Sequence, residues 1–256
     1  MLQQTDDTIM PINALYTDLS GYYDLLCADI DYRAQSNSVR RLHQLFGNNG
    51  KAHLDLGCGT GPHVRHFIDF GYTSHGLDIN QPMLDIATLR CPEAQFHLLD
   101  MSTFTVEEPV DLMTCFLYSI HYNDGIEKLS SCVASVHRAL TTGGVFCFNA
   151  VDKNKIDNHS FIKHTVQQDN HSFTFQSGWH YCGGGNKQSL QLSIEKTNSE
   201  GTQRWKDEHA MVAVDFNTLT DMLTPDFDVH IFECDYEKIT PCNEKSGNAI
   251  FVCVKR

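Results

Sequence analysis

From Lys51 onward, short apolar runs alternate with stretches whose apolar residues recur at helical spacing. Ala52–Leu56 reads as a strand that runs into a cluster of glycines. Pro62–Phe70 reads as the helix that follows, with Pro62 in a first turn where its missing N–H costs nothing. Thr73–Ile79 is a second strand, and Asn80 is placed as the N-cap of a helix through Leu89. Gln95–Leu99 and Val110–Leu117 are the third and fourth strands. Ile126, Leu129, Val133, Val136 and Leu140 then recur at spacings of three and four, an amphipathic helix that Gly143-Gly144 should stop. Val145–Ala150 is a fifth strand, almost entirely apolar, as a strand covered on both faces should be. Alternating strand and helix predicts an α/β fold, a Rossmann-like parallel sheet with right-handed crossovers and helices on both faces. Ligands in such sheets bind beyond the carboxyl ends of the strands, near the point where the strand order reverses.

After Val151 the pattern changes. His171–Trp179, Ser189–Thr197 and Gln203–Val214 alternate polar and apolar residues and are joined by turns such as Gly183-Gly184-Gly185-Asn186. This antiparallel β insert follows the fifth strand and is too small to hold a core of its own. Phe216–Leu223 reads as a helix, and Phe227–Cys234 and Asn248–Val254 as two closing strands. The plan is therefore an N-terminal helical lid (1–45), a cofactor-binding core (46–150), the insert as a substrate or dimer cap (151–215), and a final helix with a closing hairpin (216–256).

The chemistry concentrates at Leu54-Asp55-Leu56-Gly57-Cys58-Gly59-Thr60-Gly61. Glycines at a strand-to-helix turn allow tight backbone geometry and close approach of a ligand. The helix start beyond them offers unpaired N–H groups to a polar or anionic group. Asp78 ends the next strand, where a carboxylate can accept from both hydroxyls of a nucleoside ribose. A strand, a glycine triplet, a helix and this acid together indicate a nucleoside cofactor. The glycine spacing argues against a nicotinamide dinucleotide, because the third glycine comes one position early and Pro62 stands where the dinucleotide pattern has its last glycine.

Asp55-x-Gly57-x-Gly59-x-Gly61 resembles motif I of the class I S-adenosylmethionine-dependent methyltransferases. Gly76-Leu77-Asp78-Ile79-Asn80 with Met83-Leu84 resembles their second motif, Leu99-Asp100-Met101 their third-strand motif, and Leu140-Thr141-Thr142-Gly143-Gly144 the turn before their fifth strand. The resemblance covers about residues 50–150. It implies S-adenosyl-L-methionine as cofactor. Gly57, Gly59 and Gly61 would shape the loop around its methionine portion, Asp78 would hold the ribose, and Asp100 and Met101 the adenine, with Asp55, Cys58, Ile79 and Met83 also at the cofactor; Phe116 would close the fourth strand against it. More loosely, Tyr22-Tyr23-Asp24-Leu25-Leu26 and Ala28-Asp29-Ile30-Asp31-Tyr32 resemble the start of small bacterial enzymes that include the amino-sugar N,N-dimethyltransferases. Those enzymes also carry an Asp-x-His segment in their insert, where this chain has Asp207-Glu208-His209. A tyrosine near their start lies by the cofactor, and Tyr16 or Tyr23 could match it. Tyr118-Ser119-Ile120-His121-Tyr122 departs from that group, which has smaller residues at the first and fourth positions.

Net charge is −13 with a pI of about 5.4, which disfavours phosphate backbones and anionic lipid. A tRNA substrate, the main alternative, is disfavoured on that ground, and a non-catalytic cofactor-binding module is the other alternative. No apolar stretch reaches the roughly 20 residues of a membrane span. The start MLQQTDDTIM lacks the features of a signal peptide, and the ten cysteines form no CxxC pair. These features predict reduced thiols in a cytoplasm, most of them buried as small hydrophobes. No metal-ligand set stands out among the fourteen histidines, so no metal is expected. The expected function is methylation of N or O on a small polar metabolite. His121 and Tyr122, just past the fourth strand, and His209 on the insert are the acceptor-side candidates, with histidine as general base or hydrogen-bond partner. Exposed strands of the insert could pair two subunits.

Overall fold

The computed structural model describes residues 7–9, 14–16, 20–243 and 245–256. Two sheets organise them. The larger has seven strands: β2 (Ala52–Leu56), β3 (Thr73–Asp78), β4 (Phe96–Leu98), β5 (Val110–Cys115), β6 (Leu140–Val151), β11 (Phe227–Glu233) and β12 (Asn248–Lys255). Their order is β11-β12-β6-β5-β2-β3-β4. β2 to β6 run parallel, and β12 and β11 add an antiparallel edge. From β2 the chain moves outward to β3 and β4, then returns to the other side of β2 for β5. The carboxyl end of β2 is thus the switch point.

Two layers cover this sheet. α5 (Ile126–Ala139) and α6 (Phe216–Leu223) bury Leu129, Val133, Val136, Leu219 and Leu223 against Leu54, Met113, Phe146 and Phe251. α2 (Tyr32–Phe46) and α3 (Pro62–Asp69) place Val39, Leu42 and Phe67 against Leu112, Val145 and Val252 on the opposite face. β6 and β12 supply side chains to both layers, which explains their unbroken apolar runs.

The smaller sheet contains β7 (Ile162–Gln168), β8 (His171–Tyr181), β9 (Lys187–Asn198) and β10 (Gly201–Val212), consecutive and antiparallel, with β1 (Asp7–Ile9) added parallel to β10. One face carries Phe173, Phe175, Leu192 and Ile194 and closes over Leu15, Tyr22 and Tyr23. Trp205 packs against this cluster, and Trp179 stacks edge-on against Tyr118 and His121.

Some expectations need correction. The described residues among the first 45 are mostly helical: 3-10 turns at Ala14–Tyr16 and Ser20–Tyr22, the short α1 (Tyr23–Leu26) and all but the last residue of α2, with the strand β1 besides. α2 belongs to the sheet's own helix layer, because Val39 and Leu42 seat in the core. Residues 1–6, 10–13 and 17–19 of the expected lid lie outside the described residues. α5 stops at Ala139, before the glycine pair, and β6 begins at Leu140. β7 is absent from the sequence reading because Ile162 and Val166 are the only strongly apolar residues in a run that includes Lys163, His164 and three Gln/Thr side chains. Asn80 occupies the N-cap of α4 (Gln81–Arg90) without capping it by its side chain.

Candidate active site

A cavity opens at the switch point, lined by Tyr16, Tyr23, Gly57, Gly59, Asp78, Ile79, Met83, Leu99, Asp100, Met101, Ser119, Tyr122, Asn123 and Lys128. Gly57, Gly59 and Gly61 all have φ between +53° and +78°, a region that costs other residues strain. A Cβ on Gly57 would stand 3.1 Å from Ser119 Cβ, and one on Gly61 would stand 3.1 Å from Ala87 Cβ. The loop amides are largely spent inside the protein. Cys58 N–H donates to Leu77 O at 3.0 Å, Gly59 N–H to Asp78 Oδ2 at 3.0 Å, and Gly61 N–H to Cys58 O at 2.9 Å. At Gly59 and Gly61 the loop therefore acts as a Cβ-free wall more than as a set of free donors.

Asp78 is 8% exposed. Its Oδ1 accepts from both the backbone and the side-chain amide of Asn80, at 2.9 and 3.0 Å. With Gly59 on Oδ2, three of about four lone-pair sites are filled, leaving room for one ribose hydroxyl or for two if Asn80 yields its amide. Burial raises the Asp78 pKa against these hydrogen bonds. Asp100 splits its carboxylate. Oδ1 closes a turn onto Ser102 N–H and hydroxyl, at 2.8 and 2.7 Å, while Oδ2 lies 3.8 Å from Lys128 Nζ. Ile79 is 62% exposed and Leu99 40%, on a cavity wall that Met101 continues. Apolar faces presented this way suit a planar base. Asn123 is buried beside Met101, with its Oδ1 lacking a hydrogen-bond partner among the described residues.

Beyond the glycines a smaller cavity is lined by Tyr23, Tyr32, Asp55, His63 and Phe116. Asp55 is fully buried and burial raises its pKa to about 7. It accepts the Thr114 hydroxyl at 2.6 Å. That assigns the rest of a buried polar chain across the sheet: His53 Nε2–H donates to Thr114 Oγ1 at 2.8 Å, and Ser74 donates to His53 Nδ1 at 2.6 Å. His63 stacks on Phe116 at 3.6 Å and takes Ser36 on Nδ1, while its buried Nε2 has no partner among the described residues. Unsatisfied buried polar atoms at both ends of a Cβ-free wall fit a ligand with polar groups at both ends.

Cys58 lines the smaller cavity, while its thiol packs with Val64, Leu84 and Cys91 and its N–H is spent on Leu77. His121 is fully buried, and both ring nitrogens are bonded to backbone. Nδ1–H donates to Val212 O at 2.9 Å, and Nε2 accepts Val151 N–H at 3.0 Å. Burial lowers its pKa to about 4. It pins the turn Ser119–Tyr122 to β6 and β10 and is not placed to act as a base. Tyr122 and His209 come together. Tyr122 O–H donates to His209 Nδ1 at 2.7 Å, Tyr16 O–H lies 2.5 Å from the Tyr122 oxygen, and His209 Nε2 is 3.0 Å from Asp207 Oδ2. Both tyrosines that the sequence left open, Tyr16 and Tyr23, line the cavity.

Several site residues carried no sequence signal. Lys128 lies on the polar side of an amphipathic helix, and Asn123 and Ser119 lie in a short turn. Leu117 and Tyr118 precede that turn with φ of 51° and 62°, a rare pair for non-glycine residues, and Asn149 Oδ1 accepts Tyr118 N–H at 3.0 Å to hold it.

This architecture is the Rossmann-like fold of the class I S-adenosylmethionine-dependent methyltransferases with an antiparallel sheet added after the fifth core strand. Residues 54–144 match a family model described as a methyltransferase domain. Residues 54–144 are thus similar to a methyltransferase domain. Among curated proteins the chain is 28% identical over 147 residues to the dTDP-4-amino-2,3,4,6-tetradeoxy-D-glucose N,N-dimethyltransferase of Saccharopolyspora spinosa (56% of this chain, 59% of the relative). It is 34% identical over 131 residues to the dTDP-3-amino-3,4,6-trideoxy-alpha-D-glucopyranose N,N-dimethyltransferase of Streptomyces venezuelae (50% and 55%). These matches span little more than half of each relative. Solved structures extend the likeness of fold to nearly the whole chain. Streptomyces venezuelae DesVI superposes with a TM-score of 0.81 at 24% identity, covering 94% of this chain and 99% of that one. The sugar N-methyltransferase KedS8 from Streptoalloteichus superposes with a TM-score of 0.82 at 18% identity, with both chains fully covered.

Proposed function

We propose that this protein methylates the amino group of a small amino sugar. The observation that carries the reading is the wall of the cofactor cavity under the insert. There the Tyr16 and Tyr122 hydroxyls meet and are backed by His209. Such a wall can hold an amine and take its proton. The names of the similar enzymes favour nitrogen over oxygen and a nucleotide-linked amino sugar over a free metabolite.

The cofactor supplies a methyl group already activated on a sulfonium, so the protein chiefly positions and desolvates. Asp78 and Asn80 would hold the ribose; Asp100 Oδ2, Asn123, Ile79, Leu99 and Met101 would hold the base. Asp55, Tyr32 and His63 would face the amino-acid end. His209 takes the base role first assigned to His121, acting through Tyr122.

Among the described residues no helix is long and apolar enough to cross a membrane. All ten cysteines are unpaired, which accords with a cytoplasmic location. Pairing of subunits through the insert is favoured by the outer edge of β7, where Phe161 and Ile162 are 45% and 72% exposed. The function is tested by incubating the protein with labelled S-adenosylmethionine and dTDP-4-amino-2,3,4,6-tetradeoxy-D-glucose, with total tRNA as a second acceptor. Mass spectrometry should find one or two methyl groups on the sugar nitrogen; label in tRNA and none in the sugar would refute the reading.

A further inference from the structure

We infer that the insert carries a proton-exit wire, Tyr16–Tyr122–His209–Asp207, leading from the cofactor cavity along the inner face of the insert sheet to a carboxylate that reaches solvent. This rests on the amine reading above, because methylating an ammonium or amine nitrogen releases a proton.

The wire joins three separate elements: the turn at Ala14–Tyr16, the turn at Ser119–Tyr122, and β10. Its links are 2.5, 2.7 and 3.0 Å. One end lines the cofactor cavity through Tyr16 and Tyr122. At the other end Asp207, on the same face of β10 as His209 and paired across to Leu192, keeps 11% of its side chain exposed to solvent. His209, between them, is wholly buried.

The wire has a direction. The Asp207 carboxylate can only accept, so His209 Nε2 carries the proton and Nδ1 is bare. Nδ1 then accepts the Tyr122 hydroxyl, and the Tyr122 oxygen accepts the Tyr16 hydroxyl. Every hydrogen points away from the cavity, which leaves the Tyr16 oxygen as an acceptor for an N–H of the substrate.

The transfer balances. An N–H bond of the substrate's ammonium form breaks and a Tyr16 O–H bond forms, while the former Tyr16 proton moves to Tyr122. The former Tyr122 proton moves to His209 Nδ1, and the Nε2 proton moves to Asp207. The nitrogen keeps the electron pair it needs to attack the methyl group. Nothing is oxidised or reduced. Asp207 then gives its proton to water, and hydroxyl rotation with an imidazole tautomer shift restores the start. Burial disfavours a tyrosinate at either tyrosine and an imidazolium at His209, so a concerted shift suits these groups better than charged stops along the way. Among the described residues, Tyr23, Cys27 and Asp78 also face the wire.

The test has two arms. Nitrogen-15 NMR of the histidines in the cofactor-free protein should show His209 protonated on Nε2 and bare on Nδ1, and Asp207→Asn should mix the tautomers. A His209 protonated on Nδ1 would overturn the wire whatever the substrate proves to be. In the second arm, methylation of the same dTDP-amino sugar is followed with pH in the wild type and in Tyr122→Phe. The variant should lose at least tenfold in kcat near pH 7 and recover to within about threefold near pH 9.5, above the roughly 8 of an amine beside electron-withdrawing groups. Cofactor affinity by calorimetry should stay within twofold. Equal loss at both pH values, or no loss at pH 7, would overturn the wire. A wild type inactive on the amino sugar would instead refute the substrate reading, with the NMR arm still deciding the wire.

Discussion

Asp78 accepts the backbone N–H of Gly59 at 3.0 Å, tying the end of the second core strand to the glycine loop of the first. One carboxylate therefore shapes the loop and faces the cavity at once. Asp78→Ala should weaken S-adenosylmethionine binding at least tenfold by calorimetry, about 1.4 kcal/mol or more. Affinity equal to wild type would remove Asp78 from the cofactor site.

His121 holds the turn that presents Tyr122. In His121→Ala the Val151 N–H and Val212 carbonyl lose their partner in a buried place. An unsatisfied buried group costs about 1–3 kcal/mol, so a stability loss of roughly 2–4 kcal/mol is expected in denaturant unfolding. A change below about 0.5 kcal/mol would contradict the pinning role.

Gly76 faces Cys58 across the first two parallel core strands. A Cβ there would lie 2.6 Å from Cys58 Sγ and 2.8 Å from Cys58 Cβ. Gly76→Ala should cost about 1–3 kcal/mol through overpacking, and pairing it with Cys58→Gly should give coupled, non-additive losses. Additive losses would show that the contact is not the cause.

Asp55 has its folded pKa raised to about 7 by burial, against an unfolded value near 3.9. The folded state therefore holds a proton that the unfolded state has released between these values. The contribution of Asp55 to stability is full below about pH 4 and is lost as pH rises through 7. Asp55→Asn, which can still accept from Thr114, should gain on the wild type as pH rises from 5 to 8, by a few kcal/mol at most. A pH-independent difference in unfolding free energy would disprove the buried-acid assignment.

Asp24 ties the segment bearing Tyr23 to the glycine loop and α4. The Thr60 hydroxyl donates to its Oδ1 at 2.7 Å, and Arg90 Nη2 to its Oδ2 at 2.5 Å. The pair is partly exposed, so it contributes no more than about 1 kcal/mol. Asp24→Asn should speed cofactor release by a few-fold in stopped-flow fluorescence. An unchanged release rate would mean the segment is held by Tyr16 and Tyr23 packing alone.

The sequence by itself determined the parallel core, the glycine turn and the acid at the end of the second strand. Those features depend on local spacing: period-two and period-3.6 apolar patterns, left-handed positions at Gly57, Gly59 and Gly61, and one carboxylate a fixed distance along the chain. It also marked Tyr122 and His209, but not that they touch. Only the tertiary structure decided that His121 is a backbone pin while His209, 87 residues beyond Tyr122, accepts its hydroxyl. A histidine's role depends on which groups reach its two nitrogens, and those partners come from β6, β10 and the Ser119–Tyr122 turn. Likewise only the fold decided that the loop amides are spent within the protein, because their acceptors are Leu77 and Asp78 on the adjacent strand. Long-range pairing sets these partners, and a one-dimensional pattern has no record of it.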